Sequence, residues 1–517
     1  MNVVRKHRDT VANPSRQMVR NIGANVIGRA WMMLMSFAFV PIYINLLGVE
    51  SYAIIGFFAT LMVVFSVLDL GLSATLNREL ARRSALVDEH ASMSDIVRTL
   101  ELAYWGIGLL IGVAVFALAP FLARDWLNVG SIPVSTVEHA IRLMGIALAF
   151  QWPTGLYSGG LMGLQKQVRL NMIDVAISTL RGIGVIGILS FLSPTLDAYF
   201  IWQAAITAVG VLLMRWLLWK ALPPIARKPR FDVPVFRSVW QFAAGMTGIS
   251  VLSVIIMQSD KILMSKVLSL SDYAHYLIAS GLAAACGFGV GPISNAFYPQ
   301  LTQRVAEKDD AATKQAYHAG AQMIAVAIIP VSVVVALFPN EILLFWIRKK
   351  ELADQVAPVV RVLVVGSCFN GLLHPPYLLQ LAHGSTRVSL VANIAAAIAI
   401  VPLVYLLSQQ YGVVGAAFGW PLINFAQLLI TAPLVHQRFL PGVATRWSLN
   451  DIALPTLVAL STALVMRLIV PSGLPPMVGF AAAAVCGALC LAATASSLPT
   501  VRRMIPTRIP FTRKVQA

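Results

Sequence analysis

Charge is what this 517-residue sequence has least of, with 12% of its residues charged against 58% hydrophobic. A soluble chain would carry about a quarter charged residues. The mean hydropathy is +0.76, and the apolar excess runs from end to end in blocks of the roughly 20 residues that cross a bilayer. No polar stretch is long enough for a folded extramembrane domain, and there is no P-loop, so direct ATP drive by this polypeptide is not expected. The four cysteines, Cys286, Cys368, Cys486 and Cys490, lie inside apolar runs without metal-ligand spacing and read as small buried apolar residues. The first apolar stretch is too long for a cleavable leader and lacks a processing site, so it reads as a first spanning helix.

The apolar blocks place spans near 22–47, 51–77, 100–123, 136–163, 170–191, 197–219, 240–267, 273–299, 317–346, 356–382, 387–408, 412–436, 450–470 and 475–498. The expected fold is an all-α polytopic membrane protein of about fourteen transmembrane helices. Its parts are a basic N-terminus (1–20), a six-helix lobe (21–220), a linker (221–239), a second six-helix lobe (240–440), a C-terminal helix pair (450–498) and a basic tail (499–517). An internal repeat supports the two lobes: Leu47-Gly48-Val49-Glu50-Ser51-Tyr52-Ala53 after the first helix is echoed by Leu270-Ser271-Asp272-Tyr273-Ala274 after the seventh. Repeats separated by an even number of helices run parallel, related by a pseudo-two-fold axis along the membrane normal.

Basic residues set the orientation. With the N-terminus cytoplasmic, alternate loops and the two termini hold 27 of the 39 lysines and arginines. Opposite loops and helix ends hold six, among them Arg348, Lys349 and Lys350. An inner (cytoplasmic) membrane protein with both termini inside is therefore expected. The net charge of +17 lies beside anionic headgroups and does not signal nucleic-acid binding.

Charges within spans are costly and usually face a cavity or a partner. Arg29 lies inside the first helix, on one face with Asn21 and Asn25. Asp69, Ser73 and Asn77 repeat that spacing in the second helix, toward Arg78 at its end. Asp174 and Arg181, seven apart, share a face of the fifth helix about 10 Å apart, too far to pair directly. Thr247, Ser250, Gln258, Lys261 and Ser265 form a stripe in the seventh, with Asp260 beside it. Arg361, Asn370 and His374 lie in the tenth, before Pro375 and Pro376, and Arg142 lies in the fourth. Such a set can build a mainly cationic path from Arg29, Arg181, Lys261, Arg142 and Arg361. Its polar lining would be Asn25, Ser73, Asn77, Gln258 and Asn370. Asp69, Asp174, Asp260 and His374 are candidates for ion coupling or charge partnership. Blander readings exist: Arg78 and Arg215 can snorkel to an interface, as can Arg142 and Arg361, and His374 can be a kink residue.

The runs LLGVESYAIIGFFATL, FSVLDLGLSATLNRELAR, MQSDKILMSKVLSLSDYAHYLIASGL and PISNAFYPQLTQRVAEKD, in that order, resemble the Wzx-type polysaccharide and O-antigen flippases of the multidrug/oligosaccharidyl-lipid/polysaccharide exporter superfamily. The resemblance spans roughly residues 15–440, with alanine at 53 and 274 where the family pattern has glycine. It implies a flippase, not an enzyme, that moves undecaprenyl-diphosphate-linked oligosaccharide across the inner membrane by alternating access through a cationic central cavity. The product would serve O-antigen, capsule or exopolysaccharide. No cofactor or metal is implied beyond H+ or Na+ as a coupling ion. The implied partners are the lipid-linked glycan, membrane lipids, a polysaccharide polymerase and a chain-length regulator. Two final helices beyond a twelve-helix core make a lipid II-type flippase the first alternative. An ion-coupled multidrug antiporter of the same superfamily is the second, disfavoured because buried cations repel cationic cargo.

Overall fold

In the computed structural model, residues 14–504 are described, apart from 70, 85–89, 225–226, 235–236, 238–253, 255–256 and 472. Most of the expected seventh span, with Thr247 and Ser250, lies outside the described residues. The chain divides into two compact units, Met1–Ser271 and Asp272–Ala517. The described residues are helical almost throughout and contain no strand. In hydrocarbon every peptide group needs an internal partner, which a helix supplies within one segment.

The first unit contains α1 (Pro14–Leu47), α2 (Val49–Ser66), α3 (Leu72–Arg83) and α4 (His90–Phe121). These are followed by α5 (Val134–Gln151), α6 (Thr154–Gly163), α7 (Gln167–Phe191) and α8 (Leu196–Ala221). Residues 257–267 form a further helical stretch. Gly48 and Gly71, with φ of 89° and 76°, turn the chain into α2 and α3. L-side chains avoid that conformation, so glycine holds both corners. Helix α4 packs along α5, α5 along α8, α1 along α7 and α3 along α6. Side chains from α3, α4, α6 and α8 close a common core around Leu76, Leu80, Val97, Leu156 and Leu161.

The second unit contains α9 (Leu270–Cys286), α10 (Val290–Ala306), α11 (Asp310–Leu337), α12 (Pro339–Ile347), α13 (Lys350–Leu372) and α14 (His374–Ala382). It continues with α15 (Arg387–Phe439), a π-helical turn Trp447–Ala453, α16 (Leu454–Ile469), α17 (Pro476–Ser497) and α18 (Pro499–Met504). The Asp309 carboxylate caps α11 by accepting from Ala312 N at 3.0 Å. Helix α11 is central, contacting α10, α13, α16 and α17. The terminal pair α16–α17 is part of this unit's core: Ala463, Ala483, Cys486 and Cys490 pack on Val334 and Phe338. Tyr52 and Tyr273, the repeat tyrosines, are each the fourth residue of their helices α2 and α9.

Eleven helices among the described residues are long and apolar enough to span a membrane, three fewer than the fourteen read from the sequence. The expected span 136–163 divides at Pro153 into α5 and the ten-residue α6. Helix α15 runs through two expected spans, with a break at Gly412, where φ is 60° and ψ is −142°. The last missing span is the one that falls mostly outside the described residues.

Candidate functional site

The polar face of α1 meets α7. Asn171 Nδ2 donates to Asn25 Oδ1 at 2.6 Å, Asn21 Nδ2 donates to Gln165 Oε1 at 3.2 Å, and Trp31 Nε1 donates to Thr179 Oγ1 at 2.8 Å. A Cβ on Gly28 would sit 2.4 Å from Asn171 Oδ1 and would displace that amide. Asn25 therefore binds α1 to α7, and Asn21 binds α1 to the turn that precedes α7. Arg29 lies off that seam, exposed and without an ion pair among the described residues. Six residues into its candidate span, it is about 9 Å from the Gly23 end.

Arg181 is deeper. It lies about 21 Å from the Gln167 end of α7 and about 15 Å from the Phe191 end. Its Nη2 donates to Thr207 Oγ1 at 3.1 Å and to Gln151 Oε1 at 3.5 Å, and its buried Nε has no partner among the described residues. No carboxylate pairs with it within 4 Å; Asp174, two turns away, accepts no hydrogen bond from the described residues. The helix thus carries at mid-span a guanidinium that no carboxylate pairs with directly, with Asp174 two turns away on the same helix.

The Asp69–Ser73–Asn77 stripe has a different setting. Along α6, Gly155, Gly159 and Gly163 match it at the same four-residue spacing. A Cβ at these glycines would be 3.4 Å from Asp69 Oδ1, 2.4 Å from Ser73 O and 2.5 Å from Asn77 O. The stripe is a seam between backbones, of the kind small residues make in membranes. Ser73 Oγ donates to Asp69 Oδ2 at 2.7 Å, and the Tyr104 hydroxyl donates to the other oxygen.

Two buried carboxylates that sequence reasoning missed organise the neighbouring end of the unit. Glu101, 2% exposed, accepts from Tyr157 Oη (2.7 Å), Arg215 Nε (2.7 Å), Trp219 Nε1 (3.2 Å) and Arg98 Nη1 (3.1 Å). Arg215, read as a snorkelling residue, is thus paired. Asp95 accepts both Nη groups of Arg227 and, at 2.8 Å, the backbone N–H of Arg230, while Thr99 Oγ1 accepts from Asp232 N at 2.9 Å. The linker after α8 is thereby fastened to the start of α4. The only advance signal was two acids six apart at the edge of an apolar run. Outside the spans, burial would raise the Glu79 carboxyl, but contacts from Arg78, Arg83 and Arg82 outweigh it and hold the group below its ordinary range.

The remaining sequence candidates are dispersed. Arg142 is paired with Glu138 at 2.5 Å and lies over the Phe116 ring at 5.3 Å. Lys261 lies 3.6 Å from Asp260 and donates to Met257 O at 3.2 Å, while Gln258 is buried. In the second unit, Arg361 donates to Asn340 Oδ1 at 3.3 Å and Asn370 to Asn424 Oδ1 at 2.9 Å. His374 Nδ1 and Ser294 Oγ share a hydrogen bond at 3.2 Å. Of the five candidate cations, Arg29 and Arg181 alone have no carboxylate or amide-oxygen contact shorter than 3.5 Å among the described residues.

A family model described as "Polysaccharide biosynthesis protein" matches residues 18–305, and a second, MatE, matches residues 247–406. A candidate O-antigen transporter of Shigella flexneri is 20% identical over 405 residues, which are 78% of this chain and 94% of that protein. Two solved structures share the fold. The lipid II flippase MurJ in an inward closed conformation has a TM-score of 0.68 at 14% identity, over 92% of this chain and 98% of its own. An inward-facing multidrug resistance MATE transporter has a TM-score of 0.66 at 14% identity, over 79% and 94%.

Proposed function

Since the chain belongs to the polysaccharide biosynthesis protein family, we propose that it is a flippase for undecaprenyl-diphosphate-linked oligosaccharide, and that Arg181 recognises the diphosphate. The observation that carries this reading is the mid-span guanidinium. Removing a charge from water is costly unless a partner compensates it. Arg181 is held in place by two neutral oxygens, with one N–H left over. A phosphate oxygen supplies the missing anion, and the planar fork of arginine suits phosphate geometry. The prenyl tail needs no site, because lipid solvates it.

In this reading Arg29, exposed and nearer one end of its span, is a first contact for the same anion. Coupling by H+ or Na+ falls to Asp174 in preference to Asp69, whose two oxygens already accept from Ser73 and Tyr104. Transport runs from the cytoplasmic to the periplasmic leaflet of the bacterial inner membrane, with both termini cytoplasmic. A polysaccharide polymerase and chain-length regulator would act on the delivered unit.

The test is lipid-linked glycan accessibility in sealed inside-out vesicles. Wild type should move glycan into the lumen, and Arg181→Ala should slow it at least tenfold, with Arg181→Lys partly active. Arg29→Ala should be slowed less. Normal flipping by Arg181→Ala removes the site assignment while leaving the function. Lipid II as the only substrate moved points to the lipid II-type flippase. Export of organic cations without glycan movement points to the antiporter.

A further inference from the structure

Away from the cations just described, the second unit encloses four titratable side chains that the proposed transport path does not use. His318 and Tyr317 come from α11, Asp451 from the π-helical turn and His436 from α15. Asp451 is 0% exposed and His318 5%. His318 Nδ1 hydrogen-bonds Asp451 Oδ2, and Gln322 Nε2 donates to Asp451 Oδ1 at 2.9 Å. Gln322 Oε1 in turn accepts from Thr500 N of α18 at 3.2 Å. Beside this chain, Tyr317 Oη and His436 Nε2 share a hydrogen bond at 2.7 Å, and Trp447 stands edge-on to the His436 ring with centroids 4.8 Å apart. No lysine or arginine forms an ion pair with the cluster among the described residues.

A carboxylate withdrawn this far from water is stable only with a compensating partner. The partner here is an imidazole, so the pair needs one proton between its two members. Placed on His318 it gives an ion pair, and placed on Asp451 it gives a neutral hydrogen bond. Without it, a buried anion faces a neutral ring and the seam loses its compensation. The two segments meeting there are the entry to α16 and the start of α18. At this end Trp447 and Ile452 also pack on the unit's core, Leu498 is buried, and Thr500 N donates to Gln322 Oε1. The opposite end of the terminal pair is fastened separately, by Arg467 to Glu341.

We infer that His318 and Asp451 form a one-proton binding site, and that its proton docks the Trp447–Ala453 turn and α18 onto α11. His318 is eight residues from the start of α11, about 12 Å along the axis, so one aqueous phase supplies the proton over a short distance. A solvated histidine side chain has an ordinary value of about 6.5. Above that pH the undocked state has lost a proton that the docked state retains. Docking therefore weakens as pH rises, by about tenfold per unit for one proton, and is flat just below that value.

The experiment is hydrogen exchange of the full-length protein in lipid nanodiscs, read at residues 447–456 and 499–504 and corrected for intrinsic exchange. Wild-type protection should be constant from about pH 5.5 to 6.5 and then fall about tenfold per unit. Asp451→Asn keeps the shape and the Gln322 contact and should show no such fall. His436→Gln should keep the wild-type slope. Segment 333–338, on the α16–α17 seam, should not change with pH in any variant. A flat wild-type profile overturns the inference, and needs no variant to fold. It is overturned equally if Asp451→Asn keeps the slope, or if His436→Gln abolishes it, which would make His436 the proton's site.

Discussion

Replacing Gly159 by alanine puts a methyl carbon 2.4 Å from Ser73 O and 3.0 Å from Ser73 C. Ordinary contact begins at 3.4 Å, so α6 and α3 must part by roughly 1 Å at this point. The obstructing atoms are backbone, so no rotamer change relieves the clash. A gap of that size forfeits a quarter to a half of the dispersion energy of the atoms lining it. Overpacking of this kind costs about 1–3 kcal/mol. The loss should spread to the core beside it, where Leu156 and Leu161 of α6 meet Leu72, Leu76 and Leu80 of α3. Gly187, in α7, is the control: a Cβ there meets nothing within 4 Å. Gly187→Ala should be neutral or stabilising by up to about 1 kcal/mol, through helix propensity. The assay is reversible unfolding of the purified protein in mixed micelles, read from the midpoint and slope. Gly159→Ala should be less stable than Gly187→Ala by about 1–3 kcal/mol, the overpacking cost alone, because both changes gain the same helix propensity. Adding Gly163→Ala should give less than the sum of the single changes, because both act on one seam. If Gly159→Ala and Gly187→Ala agree within about 0.5 kcal/mol, the backbone-to-backbone contact of α3 and α6 is refuted.

Glu101→Ala leaves the Tyr157 and Trp219 donors without their acceptor and frees Arg215 and Arg98, both about two-fifths exposed, to be resolvated. A loss of about 2–3 kcal/mol in the same unfolding assay is expected, chiefly from the buried donors; Glu101→Gln should recover part of it, and no loss would rule out the hub. Glu79, held below its ordinary range by three arginines, contributes stability that is present above about pH 4.3 and lost as pH falls through its lowered folded value. The unfolding midpoint of Glu79→Gln should therefore lie below wild type at neutral pH and converge with it in acid. Gly412→Ala forces a side chain into φ 60°, ψ −142°; a destabilisation of about 1–3 kcal/mol, or a straightened α15 detected as changed cysteine cross-linking between 408 and 416, is expected. Wild-type stability and cross-linking in Gly412→Ala would show the break to be incidental.

The sequence alone determined that this is a multi-pass membrane protein, because hydrocarbon demands long apolar helices and composition records them directly. It also determined family, through motifs placed in order along a chain with a repeated Tyr52/Tyr273 entry. Span counting was less direct: the apolar blocks separate 387–408 from 412–436, where the break at Gly412 falls, but they do not show that the 136–163 block divides at Pro153. Tertiary structure decided which polar faces are seams. Four-residue spacing put Asn21 with Asn25, and Asp69 with Ser73, on single faces. Only the approach of Gly28 to Asn171, and of Gly159 and Gly163 to α3, showed that those faces are closed by a neighbouring helix. It likewise decided which charges are compensated. Arg142 and Arg215 find carboxylates on their own or distant helices, and Arg181 finds two neutral oxygens. Spacing reports what shares a helix face; what that face meets, and whether a charge there is neutralised, is a property of the packing between segments.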